Sequence, residues 1–133
     1  MVKILMVDDD KDLLHNLQQV FTVKGYQVVL AHSAREGLRT ALAERPDLIV
    51  LDVSMETDVA GFEFVNQLRS RRSNSRYLLI RDTPIILLTA ISQNTNWRFS
   101  LNDKESYLPG PYEFLSKPVN LDELLLKTKK LVG

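Results

Sequence analysis

The sequence contains no cysteine, which excludes disulfide bonds and thiolate-bound metals and fits a protein of the reducing cytoplasm. It also lacks an excess of either charge, because 17 Lys and Arg residues balance 17 Asp and Glu residues. A balanced charge provides no general attraction to nucleic acid or to an anionic membrane surface. We therefore expect a cytoplasmic protein that binds neither nucleic acid nor a membrane directly.

Long apolar runs are absent as well, and no run approaches the length that spans a bilayer. The apolar N-terminal run is too short for a signal peptide and stops at Asp8, so it predicts a strand. At 133 residues the chain suits one domain with its own hydrophobic core.

Short runs rich in β-branched and other apolar residues alternate with helical patterns along the chain. Three of these runs, 4–7, 48–51 and 85–88, are apolar without alternation, as expected for strands buried on both faces of a parallel sheet. The alternation predicts a doubly wound α/β fold with helices on both faces of the sheet. The predicted strands cover residues 3–7, 27–31, 48–51, 84–89 and 112–115.

Capping residues indicate where the helices begin. Ser33 with Glu36 forms the pattern of a capping box before the second helix, and Asn120 with Glu123 repeats it before the last. The third helix is expected to begin near residue 61 and to face the core with Phe62, Val65 and Leu68.

The predicted sheet gathers polar residues at one edge, where ligands of open α/β sheets bind beyond the carboxyl ends of the strands. Carboxylates brought together there repel one another, so that either one takes up a proton or a cation lies among them. Oxygen ligands without histidine or cysteine favour a hard cation, and Mg²⁺ suits them best because it also accepts a phosphoryl oxygen. In chain order, the strand ends carry Asp8 and Asp9, Asp52, Thr89, and Lys117.

The residues beside the carboxylates suit an anionic ligand. Lys117 offers a positive charge, Thr89 a hydroxyl group and Ala90 backbone room for phosphoryl oxygens. Each feature alone also has a purely local explanation, because aspartates at strand ends commonly form turns or cap helices. Their coincidence at the ends of the appropriate strands favours a joint site.

Five segments together resemble the receiver domain of bacterial two-component response regulators. The resemblance implies a flavodoxin-like, five-stranded parallel sheet in the order 2-1-3-4-5. It also implies one receiver domain over residues 1–133, in which Asp52 accepts a phosphoryl group from a histidine kinase or a phosphotransfer protein. The matching segments are residues 7–10, 51–53, 61–63, 88–90 and 114–118, in order across nearly the whole chain.

The same resemblance implies the ligands of the metal. Asp9 would bind Mg²⁺ directly and Asp8 largely through water, while Asp52 and the backbone carbonyl of Ser54 would be further ligands. The bond between Lys117 and the following proline would be cis and would aim the lysine at the phosphoryl group.

The resemblance also implies a switch. The backbone at Ala90 would contact the phosphoryl group, Thr89 would move inward toward it, and Phe114 would turn into the space left by Thr89. This movement would change the surface between the fourth strand and the last helix. Family members often dimerise through that face, so a homodimer is one expected assembly; the downstream protein target is left open.

Two alternatives to a phosphoacceptor module are an enzyme and an interaction domain. In a Mg²⁺-dependent aspartyl phosphohydrolase, Asp52 would be the nucleophile and a second acid would stand two residues later, but that position holds Ser54. A receiver-like interaction domain that is never phosphorylated is disfavoured by the intact acids. We therefore expect no enzymatic activity beyond the chain's own phosphorylation and dephosphorylation.

Two segments, 70–82 and 91–111, are longer than the family pattern and are predicted to be insertions. The first is rich in arginine, which predicts either a solvated loop or contacts with an acidic partner or nucleic acid. The second carries aromatic residues that either pack on the sheet or bind a partner. It begins with Ile91, whose apolar side chain cannot orient a water molecule by hydrogen bonding, which predicts slow hydrolysis of the phosphoryl group on Asp52. The arginines are Arg69, Arg71, Arg72, Arg76 and Arg81, and the aromatic residues are Trp97, Phe99 and Tyr107.

Overall fold

The computed structural model describes residues 1–53, 55, 60–70, 72–89 and 112–132. Its centre is a sheet of five strands in the order β2-β1-β3-β4-β5, and every pairing within it is parallel. The predicted fold class and strand order are therefore confirmed. The strands are β1 (Lys3–Val7), β2 (Gln27–Ala31), β3 (Leu48–Asp52), β4 (Ile85–Thr89) and β5 (Tyr112–Ser116).

In the part of the chain that the structure describes, four α-helices cover the two faces of this sheet. The helices α2 and α3 pack on one face through residues such as Leu38 and Phe64. The helices α1 and α4 pack on the other through residues such as Phe21 and Leu124. The helices are α1 (Lys11–Val23), α2 (Ala34–Glu44), α3 (Ala60–Leu68) and α4 (Leu121–Val132).

Side-chain caps begin three of the helices. The carboxylate of Asp10 accepts a hydrogen bond from the backbone N–H of Leu13 at 3.0 Å, and thereby starts α1. The predicted caps at Ser33 and Asn120 are confirmed, because Ser33 Oγ accepts from the N–H of Glu36 and Asn120 Oδ1 from that of Glu123.

The third helix begins at Ala60, within one residue of its predicted start, but its buried face differs in part from the prediction. Val65 and Leu68 are buried as predicted. Phe64 is fully buried as well, whereas the predicted core residue Phe62 is only half-buried.

The segment that follows α3 is more ordered than its polar composition indicated. It contains a short 3₁₀ helix, Leu78–Ile80, whose Ile80 enters the core. Arg69 is buried and donates a hydrogen bond of 2.6 Å to the carbonyl oxygen of Arg81. Burial lowers the pKa of Arg69 to about 10, so the guanidinium stays charged near neutral pH. Interpreting Arg69 as part of a solvated or partner-binding loop was therefore wrong.

Other expectations fall outside the described residues: those for Ser54, Ala90, Ile91 and Arg71, and those for the aromatic segment 91–111. Within the described part of the chain, no helix has the length and apolar character needed to cross a membrane.

Candidate functional site

The carboxylates of the site converge because β1 and β3 are neighbouring parallel strands that end together. Val7 pairs with Leu51. The residues that follow this pair, Asp8 and Asp52, therefore lie side by side. Asp8 is fully buried and Asp52 is 4% exposed, while Asp9 is exposed at the rim. Carboxylate oxygens of Asp8, Asp9 and Asp52 all lie within 4.8 Å of one another. The structure thus brings the three predicted acids into one cluster.

Hydrogen bonds hold Asp8 in its buried position. Its backbone N–H donates to the carbonyl oxygen of Ala31 on β2 at 3.1 Å, which continues the sheet beyond the last strand residue. One of its carboxylate oxygens, Oδ1, accepts from the N–H of Asp10 at 3.0 Å. The other oxygen, Oδ2, accepts a hydrogen bond from the Lys117 ammonium group.

The ammonium group of Lys117 enters the cluster from the end of β5. Its Nζ donates to Asp8 Oδ2 at 2.9 Å and lies 3.5 Å from Asp52 Oδ2. The backbone N–H of Lys117 donates to the carbonyl oxygen of Thr89 at 2.7 Å, and the bond from Lys117 to Pro118 is cis, as predicted. Lys117 therefore bridges two acids that lie far from it in the sequence.

The site is electrostatically unbalanced, since three carboxylates face one ammonium group. Burial lowers the pKa of Lys117, but its hydrogen bond to Asp8 and the charges of Asp8 and Asp52 outweigh this effect and raise the pKa. Desolvation at the rim and the charge of Asp8 raise the pKa of Asp9, and Lys117 offsets part of that rise. A divalent cation among these oxygens would relieve the remaining repulsion.

The donor set fits Mg²⁺. Among the described residues, the possible metal ligands that converge here are carboxylate oxygens, which are the ligands of hard cations. Asp9 is exposed at the rim, so one side of the cluster is open to solvent. Such a site can retain water molecules and admit an oxygen of an anionic ligand.

Thr89 and Phe114 lie on the adjacent strands β4 and β5, and Thr89 directly follows the residue that pairs with Asp52. Thr89 is fully buried, and its hydroxyl oxygen finds no hydrogen-bond partner among the described residues. Phe114 is half-buried and packs against the core cluster shared with α2 and α3. A buried hydroxyl without a partner is costly, so Thr89 is available to a new acceptor.

Gly61 packs against the backbone of Val53, the residue after Asp52, and its place in the sequence alone did not predict this contact. Its backbone N–H donates to the carbonyl oxygen of Val53 at 3.0 Å. A Cβ atom at Gly61 would lie only 2.5 Å from the Cα of Val53, so a side chain does not fit there. The sequence signal for this contact is a glycine in the first turn of a helix. Glycine often occurs where another backbone segment approaches closely.

Comparison with known proteins agrees with this geometry. Residues 4–129 match the model of the response regulator receiver domain. The response regulator MprA of Mycolicibacterium vanbaalenii is 36% identical over 132 residues, which cover 98% of this chain and 50% of that protein. The chain thus spans about half the length of the curated relatives that it matches.

Solved structures show the same fold. The chemotaxis response regulator CheY4 of Vibrio cholerae superposes with a TM-score of 0.77 at 30% identity and covers 98% of each chain. A CheY-like receiver domain protein of Methanospirillum hungatei has a TM-score of 0.74 at 30% identity, covering 98% of this chain and 92% of its own. The chain belongs to the response regulator receiver domain family of two-component signalling systems.

Proposed function

We propose that this receiver domain is a phosphoacceptor module and that Asp52 takes a phosphoryl group from the phosphohistidine of a histidine kinase or phosphotransfer protein. One observation carries the proposal: the nearly buried carboxylate of Asp52 lies beside two further acids and 3.5 Å from the ammonium group of Lys117. This arrangement combines a nucleophile with positive charge for the transferred group.

The proposed transfer is a displacement at phosphorus. An oxygen of Asp52 attacks the phosphoryl group, the bond from phosphorus to the histidine nitrogen breaks, and the nitrogen keeps that electron pair and takes a proton from solvent. The product is an acyl phosphate on Asp52. Lys117, which already lies between Asp8 and Asp52, then contacts the phosphoryl oxygens and neutralises part of their charge.

The proposed metal is Mg²⁺, held by Asp8, Asp9, Asp52 and the backbone carbonyl of Ser54. When bound, it supplies charge neutralisation at the transferred phosphoryl group. The negative charge of the three carboxylates would attract this cation, since Lys117 alone does not balance their charge.

The proposed switch links Asp52 to the surface between β4 and α4. The hydroxyl of Thr89 and the backbone of Ala90 take up the phosphoryl oxygens, and Phe114 turns into the space that Thr89 leaves. The support is the buried, unpartnered hydroxyl of Thr89 together with the half-buried position of Phe114 on the neighbouring strand.

We further propose that residues 1–133 form one receiver domain, with insertions at 70–82 and 91–111, that acts in the cytoplasm on a protein target. In this role the chain catalyses only its own phosphorylation and dephosphorylation. Homodimers would form through the face between β4 and α4.

Acetyl phosphate tests this function directly, because it donates a phosphoryl group without a partner protein. With Mg²⁺ present, intact-mass measurement should show the addition of a single phosphoryl group to the wild-type chain and none to Asp52→Asn. The matched control is Asp122→Asn, which removes an exposed carboxylate from α4 and should leave the addition unchanged.

Two results would contradict the proposal: no addition to the wild-type chain, or addition that persists in Asp52→Asn. Continuous release of phosphate from small phosphate esters would instead indicate a phosphohydrolase.

A further inference from the structure

A groove runs between α2 and α3, on the face of the sheet opposite to α1 and α4. It has a volume of about 470 Å³. The buried residues Leu38 and Phe64 line it, together with Arg76 and Tyr77 of the 70–82 segment. Asp52, Thr89 and Lys117 do not line it, so it is separate from the phosphoacceptor site.

A second cleft of about 470 Å³ adjoins the groove. The two share Gln67, Arg76 and Tyr77, so they form one elongated depression from α2 across α3 to the 70–82 segment. An elongated depression suits an extended chain better than a compact ion or metabolite.

The charged residues around this depression are mainly positive. Arg35, Arg39 and Arg76 line the groove and Arg72 lines the second cleft, and among the described lining residues Glu63 is the only acid. All four arginines are exposed, and none forms an ion pair with another described residue. Their guanidinium groups therefore remain available to an anionic partner.

We propose that the depression is a docking surface for an extended acidic peptide segment of a partner protein. Guanidinium groups bind carboxylates through paired hydrogen bonds, and arginine and tyrosine are the residues that contribute most to protein interfaces. Glutamates and aspartates of the segment pair with Arg35, Arg39 and Arg76, and its apolar residues contact Tyr77.

Two features favour a peptide over nucleic acid. The chain as a whole has a net charge of +0, which provides no long-range attraction to a phosphate backbone. In addition, Leu78 and Leu79, which follow Tyr77, are 40% and 79% exposed. Exposed leucines beside arginines resemble the apolar core and charged rim of a protein interface.

The test uses a fluorescein-labelled oligoglutamate peptide as the probe, with binding followed by fluorescence anisotropy. The wild-type chain should bind it saturably, and Arg39→Glu/Arg76→Glu should weaken binding by at least about tenfold, because two contacts become repulsive. The matched control Lys24→Glu/Lys129→Glu makes the same charge change at exposed sites just after α1 and on α4, and it should bind as the wild type does.

Nuclear magnetic resonance locates the binding site. Amide shifts caused by the peptide should cluster on α2, α3 and the 70–82 segment, and both double variants should still accept a phosphoryl group from acetyl phosphate. The proposal is overturned if the wild type does not bind the peptide, or if both double variants lose affinity equally. It is also overturned if an oligo-dT strand binds through the same arginines more tightly than the peptide, since that result identifies a nucleic-acid surface.

Discussion

At the scale of single residues, the site depends on one cation among three anions. Lys117 Nζ is 2.9 Å from Asp8 and 3.5 Å from Asp52, so the ammonium group already lies where charge develops during phosphoryl transfer. Its positive charge also repels any second cation that enters the cluster. In the proposed function, Lys117 would therefore assist the phosphoryl transfer and weaken metal binding at the same time.

Replacing Lys117 with alanine separates these two effects. We expect Lys117→Ala to slow phosphorylation by acetyl phosphate by about 100-fold, since one preorganised charge is lost. Mg²⁺ should bind more tightly, because a repelling positive charge has gone. Stopped-flow phosphorylation and calorimetry measure the two quantities, with Lys24→Ala, an exposed lysine after α1, as the control. An unchanged rate would contradict the role given to Lys117.

Unlike the ammonium group of Lys117, which contacts two acids, the hydroxyl of Thr89 is buried and makes no hydrogen bond with the described residues. Thr89→Val, which keeps the shape and removes the hydroxyl, should leave the unphosphorylated chain as stable as before or more stable by about 1 kcal/mol. It should also abolish the change that phosphorylation causes at Phe114. Urea denaturation and side-chain resonances test the two parts; a loss of stability would show that the hydroxyl already has a partner.

At the scale of elements, the sequence predicted the strands to within one residue, because unbroken apolar runs are typical of strands covered on both faces. Capping residues located the starts of helices because each caps a backbone N–H only three residues later in the sequence. The errors have tertiary causes. Phe62 and Phe64 are separated in the sequence only by Glu63, and packing between α2 and α3 decides which of the two is buried. A polar sequence also does not reveal that Arg69 will be buried against a backbone carbonyl.

The contact between α3 and the loop after Asp52 leads to a prediction about elements. Gly61→Ala should destabilise the chain by about 1–3 kcal/mol, because its Cβ would overlap the backbone of Val53. It should also slow phosphorylation, since Val53 follows Asp52 directly. Gly25→Ala is the control: φ is +96° at Gly25, so this variant should lose stability, but it should keep the wild-type rate. Thermal unfolding and mass spectrometry measure both, and equal rates in the two variants would count against the positioning role of Gly61.

At the scale of the whole molecule, the strand order assembles a site from residues far apart in the chain, including Lys117 and Asp8 at a separation of 109 residues. This much was predictable from sequence, because parallel strands share a carboxyl edge and the polar residues stood at the strand ends. The direct pairing of Lys117 with Asp8 was not predictable, since it depends on side-chain distances that only the folded chain defines. The same holds for the arginine-lined groove, which neighbouring helices and a distant segment build together.

Titration with Mg²⁺ in a calorimeter tests most directly the claim that these carboxylates converge to share a divalent cation. We predict that a single Mg²⁺ binds to the wild-type chain and that Asp9→Asn and Asp52→Asn each weaken this binding by at least about tenfold, because each removes a charged ligand. An absence of Mg²⁺ binding by the wild-type chain, or equal affinity in the wild type and both variants, would contradict it.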